Sequence, residues 1–275
     1  MAERAIIGLT EWLQTPAGRY VLEWEQGHLD TAVVDLFGFH ALQLGLPELD
    51  ALAANRMPHR WVAVETAAPE GAKPVDAAKV PRAVVALHCD FDALPFDSSS
   101  LDLVVLPHAL ELARDPHLAL REVERVLVPE GRVVIVGFNP ASLWGLRQAI
   151  GRLRRGLGLG KKRDLFLPGG GEFMRYRRLR DWLRLLSFEV EAGRFGCYLP
   201  PLRSQAWLSR FAWAEHIGER WWPVFGAVYF VVAVKRVRGM RLVGLVREQR
   251  ALKHAAPAPV VANNHQHSNT DSHEH

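Results

Sequence analysis

An α/β fold with a doubly wound, mostly parallel sheet is the architecture this sequence predicts, on three observations. Short apolar runs alternate with stretches of helical spacing from about residue 39 to residue 138. The runs are continuous and rich in Val and Leu, as in strands buried on both faces, rather than alternating apolar and polar. The chain has 275 residues, 49% of them hydrophobic, which is ample for a buried core.

The elements follow in order. Thr15 is a helix cap and Pro16 suits the first helical position, with Ala17, Val21, Trp24, Ala32, Val33 and Leu36 at helical spacing toward a stop near Gly38. A first strand spans Ala41 to Leu44, a turn Gly45 to Pro47, and a short helix is expected through Leu49, Leu52 and Ala53. Trp61 to Val64 is a second strand, Val84 to Leu87 a third and Leu101 to Leu106 a fourth. Residues 67–82, rich in Ala, Pro and Lys, read as a loop or irregular helix. Pro116 to Leu127 has helical spacing, Pro129 to Gly131 reads as a turn, and Arg132 to Phe138 is a fifth strand. Later come a helix at Tyr176 to Leu186 and strands at Phe188 to Ala192 and Gly226 to Val234.

Composition narrows the function classes. Two cysteines, Cys89 and Cys197, are too few for a disulfide framework and fit a reduced, cytoplasmic setting. The start, MAERAIIGLTEWL, is interrupted by Glu3 and Glu11 and lacks a small-residue cleavage site, so no signal peptide is expected. The most apolar run, Gly226 to Val234, is far short of the roughly 20 residues of a membrane span, so no transmembrane segment is expected. The net charge is +4, with the positive charge concentrated after residue 140. Ligands of open parallel sheets bind beyond the C-terminal strand ends, so the residues just after each strand are the candidates.

One stretch carries a resemblance. Cys89 to Gly131 reads CDFDALPFDSSSLDLVVLPHALELARDPHLALREVERVLVPEG. It has an acidic residue after the third strand, an LPF-D turn and S-x-D-L-V entering the fourth. A His and a Glu follow that strand, D-P opens a helix, and R-V-L-x-P-x-G-x-x-V-I enters the fifth. It closely resembles the middle of the class I S-adenosylmethionine-dependent methyltransferases. The resemblance implies a Rossmann-like, seven-stranded sheet closed by an antiparallel C-terminal pair. It also implies S-adenosylmethionine as methyl donor. In that family the first strand ends in an acid followed by G-x-G-x-G around the methionine part of the donor. Here Gln43 stands at the acid, Gly45 at the first glycine, and Pro47 and Leu49 at the other two.

The same resemblance places the donor-binding residues. Glu65, at the end of the second strand, would accept from both ribose hydroxyls, or else is an exposed loop acid. Asp90 would meet the adenine amino group and Phe91 lie along the ring, or else they are a turn cap and a core residue. Leu106 would line the pocket. His108 is the candidate general base, because its ordinary pKa lies near neutrality; it would equally suit packing or capping. Asp92, Asp97 and Asp102 read as structural, Glu111 as a helix residue, and Asn139 as either a cap or an acceptor contact.

The expected division is a helical extension at 1–38, a methyltransferase-like domain at 39–237 and a disordered basic, His-rich tail at 238–275. Basic and Trp-rich insertions fall at about 145–180 and 200–223, the latter with Trp207, Trp213, Trp221 and Trp222. The basic 147–184 region is either a solvated face or the seat of an anionic partner, RNA or a membrane surface. His265, His267, His273 and His275 lack cysteine partners, and no metal site is expected there. The functional expectation is methyl transfer to a small-molecule, apolar acceptor. The alternative is an inactive module of the same fold that binds RNA, protein or membrane.

Overall fold

The computed structural model describes residues 8–65, 85–157, 166–168, 173–201, 215, 218 and 220–237. The predicted loop at 67–82, Trp207, Trp213 and the His-rich tail lie outside the described residues. Seven strands form one sheet: β1 (His40–Leu44), β2 (His59–Val64), β3 (Val85–His88), β4 (Leu101–Pro107), β5 (Leu127–Phe138), β6 (Phe188–Gly196) and β7 (Val228–Lys235). Their order is β3-β2-β1-β4-β5-β7-β6. β1 to β5 run parallel, and β7 pairs antiparallel with both β5 and β6. This is the expected mostly parallel, Rossmann-like sheet with an antiparallel C-terminal pair.

Among the described residues, helices α1 (Leu9–Leu13), α2 (Pro16–Val33), α3 (Ala109–Leu112), α4 (Pro116–Val126), α5 (Leu143–Gly156) and α6 (Tyr176–Leu185) accompany it. Strand alternation sorts the core into two layers. Leu42, Leu44, Val104, Leu106, Val133 and Ile135 pack against α4 and α6 on one face. Ala41, Leu103, Val105, Val134 and Val136 pack against α1, α2 and Trp144 of α5 on the other. α2 turns Val21, Glu25, Leu29 and Val33 inward at four-residue spacing, so a carboxylate sits within an otherwise apolar stripe.

Local chemistry explains the boundaries. Thr15 Oγ1 accepts from Gly18 N at 3.2 Å and Pro16 opens α2, as expected. The helix stops at Val33 rather than near Gly38, because Asn55 Nδ2 takes the Val33 and Leu36 carbonyls out of the helical ladder. Asp102 is structural: its Oδ2 accepts from Phe39 N and His40 N and sets the start of β1. The turn expected at 129–131 is a bulge inside β5, where pairing jumps from Leu101–Leu127 to Leu103–Arg132 and Glu130 has φ +65°.

One expectation differs, and one helix was not anticipated. Residues 49–53 are turns, not a helix. The backbone there is held by the Gln43 side chain, from outside any local pattern. Conversely, the basic run after Arg147 lies largely in α5, which Ser142 caps through a bond from Gly145 N to its Oγ at 3.1 Å.

Candidate active site

Because β1 to β5 are parallel, their C-terminal ends share one edge. The segments that meet there are the loop after β1, Glu65 after β2, Cys89 to Phe91 after β3, His108 after β4, and Asn139 after β5.

Gly45 has φ +78°, and its N–H donates to Ala63 O at 2.7 Å. A side chain there would meet Ala109 Cβ at 3.6 Å and Phe91 Cζ at 3.7 Å, ordinary contacts; the backbone conformation, not the space, calls for glycine. Gln43, fully buried, braces the rest of the loop. Its Nε2 faces Gly45 O at 3.1 Å, Leu46 O at 3.0 Å and Leu49 O at 2.7 Å, and its Oε1 accepts from Ala51 N at 2.9 Å. A carboxylate has no proton to offer three carbonyl oxygens, so this loop requires an amide at 43. Leu46 and Leu49 turn inward and join the α2 layer. Glu48 Oε2 is buried with no hydrogen-bond partner among the described residues.

The acids after β2 and β3 crowd one another. Burial lifts the Glu65 carboxyl above its ordinary range, Asp90 and Asp92 lift it further, and the N–H and guanidinium of Arg114 pull against them. Burial, Asp90 and Glu65 push the Cys89 thiol up to about 11, so it is no nucleophile at neutral pH. Asp90 is exposed at the edge, while Phe91 is buried beside Gly45. Leu106 lies one residue from the end of β4, within the α4 and α6 layer.

His108 has φ +54°, a left-handed conformation uncommon outside glycine. It is fully buried between two carboxylates: Nε2 lies 2.7 Å from Glu25 Oε1 on α2, and Nδ1 lies 2.9 Å from Glu111 Oε2. Burial alone would lower its pKa, but the two carboxylates outweigh that and push it up to about 10. The ring is therefore an imidazolium at neutral pH with both nitrogens donating, and it has no lone pair to act as a base. Glu111 Oε1 accepts from Phe138 N at 2.5 Å, and Glu25 Oε2 is left without a partner among the described residues. Glu25 is the member that sequence reading missed. Its signal was a charged residue at a position that four-residue spacing assigns to the core.

Aromatic rings wall this side. His108 packs at 4.3 Å, tilted by 34°, against Phe138, which meets Trp12 at 5.4 Å and Phe173 at 5.6 Å edge-on. Trp144 meets Phe166 at 5.1 Å. Beside them Glu215 accepts from Tyr20 Oη, Cys197 N and Tyr198 N. Asn139 is fully engaged: it caps Ala141 N and donates to Val224 O and Gly226 O. Cys89 and Cys197 are both free and buried. Among the described residues no cluster of His, Cys, Asp and Glu has metal-binding form.

Comparisons with known proteins bear on the family and the fold. A methyltransferase-domain family model matches residues 48–135. The uncharacterized protein YafS of Escherichia coli K12 is 31% identical over 229 residues, 82% of this chain and 80% of that one. The chain belongs to the class I S-adenosylmethionine-dependent methyltransferases. The malonyl-[acyl-carrier protein] O-methyltransferase of Halorhodospira halophila is 45% identical over 69 residues, 25% of this chain and 22% of that protein. A chain in the complex of the Haloferax volcanii Trm112 methyltransferase activator with a methyltransferase shares the fold. It has a TM-score of 0.50 and 17% identity, covering 86% of this chain and 100% of that one.

S-adenosylmethionine is the cofactor of this family. The edge fits it at both ends. The mutually repelling carboxylates of Glu65 and Asp90 suit the hydroxyl and amino donors of a nucleoside. Glu48 Oε2, without a partner among the described residues, lies in the loop that the family sets around the methionine part, whose ammonium group is a donor.

Proposed function

We propose that this chain transfers a methyl group from S-adenosylmethionine to an apolar small-molecule acceptor. The observation that carries the reading is the crowding of Glu65, Asp90 and Asp92 at the parallel-strand edge beside Gly45. Arg114 offsets only part of this repulsion, and a fold does not gather mutually repelling carboxylates at a ligand edge for its own stability.

Bound S-adenosylmethionine supplies an electrophilic methyl group on a sulfonium. The chain's own residues bind and orient. Glu65 accepts from the ribose hydroxyls, Asp90 from the adenine amino group, and Phe91 and Leu106 give the apolar wall. Gly45 lets the backbone come close to the methionine part, and Glu48 holds its ammonium. His108 acts as a positioning residue: its imidazolium ties α2 to the end of β4 and, through Glu111, to Phe138. The rings of Trp12, Phe138, Trp144 and Phe173 exclude water from the neighbouring space. Aligning donor and acceptor in such a pocket supplies most of what methyl transfer needs, without a dedicated base.

Calorimetric titration with S-adenosylmethionine and S-adenosylhomocysteine tests the reading. Glu65→Ala and Asp90→Ala should each weaken binding roughly tenfold to a hundredfold, the worth of charge-assisted hydrogen bonds. Affinity should also fall on acidification through the raised Glu65 pKa, since the neutral carboxyl is the poorer acceptor. Absence of binding by either ligand would overturn the reading in favour of an inactive module.

A further inference from the structure

α5 carries an exposed apolar stripe that the fold leaves uncovered. Leu143, Leu146, Ile150, Leu153 and Leu157 recur at spacings of three, four, three and four, which is one helix face. Their exposures are 56%, 57%, 44%, 65% and 65%. The opposite face holds Trp144 and Gln148, both buried. Beside the start of the helix lies a second apolar group. Asn139 Nδ2 bonds to Val224 O and Gly226 O, which sets the 224–226 turn against the entry to α5. Trp221, Trp222, Val224 and Phe225 are exposed there, at 71%, 60%, 55% and 54%. Both groups stand at the sheet edge of the candidate active site, since α5 follows β5 and the turn precedes antiparallel β7.

Charge selects what covers this surface. From Leu143 to Arg163 there are seven basic residues, Arg147, Arg152, Arg154, Arg155, Lys161, Lys162 and Arg163, and no acidic one. A second copy would bring arginine against arginine. An RNA would take the charge but leave the leucines facing water. An anionic lipid surface takes both: leucines and tryptophans enter the interface while the arginines of α5 reach the headgroups. No helix among the described residues is long and apolar enough to cross a membrane. α5 has the form of a helix that lies in the interface plane.

We propose that α5, with the Trp221–Phe225 turn, docks the protein on an anionic membrane surface with the active-site edge facing it. The acceptor is then a molecule partitioned in the bilayer that reaches the edge without crossing water; this last clause alone rests on the methyltransferase reading.

Flotation of the full chain with vesicles of phosphatidylcholine alone, or with phosphatidylglycerol added, tests the docking. Binding is expected to the anionic vesicles and to fall with salt. It should weaken by roughly tenfold or more in Leu146→Asp/Leu153→Asp, and similarly in Arg154→Glu/Lys162→Glu. Unchanged melting temperatures confirm that both variants fold; if the aspartate variant does not, the charge-reversed one carries the test. No flotation, or flotation indifferent to both variants, overturns the proposal. So does RNA binding that survives the aspartates and is lost on charge reversal, or a dimer that the aspartates dissolve. S-adenosylhomocysteine affinity measured on the same proteins separates the two readings: vesicle binding without it sinks the acceptor clause, and it without vesicle binding sinks the docking.

Discussion

Gln43 shows how one atom type decides a loop. Its Nε2 faces three carbonyls, and its Oε1 takes a fourth backbone group. Gln43→Glu keeps the size but sets a carboxylate against those carbonyls, and should cost about 3 kcal/mol. Denaturant unfolding checks this, with a melting temperature lower by roughly 6–12 °C for a chain of this length. His108 gives a pH prediction. Its folded pKa, about 10, lies above the unfolded value of about 6.5, so its contribution is complete below the latter and lost as pH rises through the former. Burial raises the Glu111 carboxyl as well, and the imidazolium of His108 pulls against that rise. Unfolding free energies of wild type and His108→Gln should therefore converge between about pH 6.5 and pH 10. A constant difference across that range would show that the histidine is not charged in the folded state.

Among the elements, the strands were legible because each is a continuous apolar run, and parallel strands buried on both faces need nothing else. The edge was legible with them: once strand ends are placed, Gly45, Glu65, Asp90 and Phe91 follow by position. Three features were not. α5 was hidden because its arginines drew the reading to charge, although its leucines keep helical period through the same residues. The turns at 49–53 depend on a side chain six to eight residues back, which local propensity does not see. The Glu25–His108 contact joins residues 83 apart in sequence, and only the packing of α2 on the sheet brings them together. Where local chemistry is complete it suffices, and α4 is such a case. Asp115 accepts from His117 N and Leu118 N, and Pro116 opens the helix. Asp115→Ala should cost about 1 kcal/mol of stability, read by denaturant unfolding.

At the scale of the whole molecule, the fold and the site make opposite demands on Glu65. Burial and the neighbouring Asp90 and Asp92 raise its pKa, so the folded state disfavours its charge relative to the unfolded chain. At neutral pH that acid weakens the fold. Glu65→Gln removes the repulsion and keeps the shape, so the unliganded melting temperature should rise. A donor-binding acid predicts the reverse for the complex. Ligand present at a hundred times its Kd stabilises a protein by about 2.7 kcal/mol, and a roughly tenfold weaker site gives up about half of that. In melting curves with S-adenosylhomocysteine, the variant should start above wild type without ligand. As ligand is added, wild type should gain on it and, at saturating concentrations, narrow or reverse the gap. If Glu65 were only a loop acid, the two curves would keep a constant separation at every ligand concentration. Crossing or converging curves thus identify a carboxylate that this fold holds at its own expense because the ligand needs it.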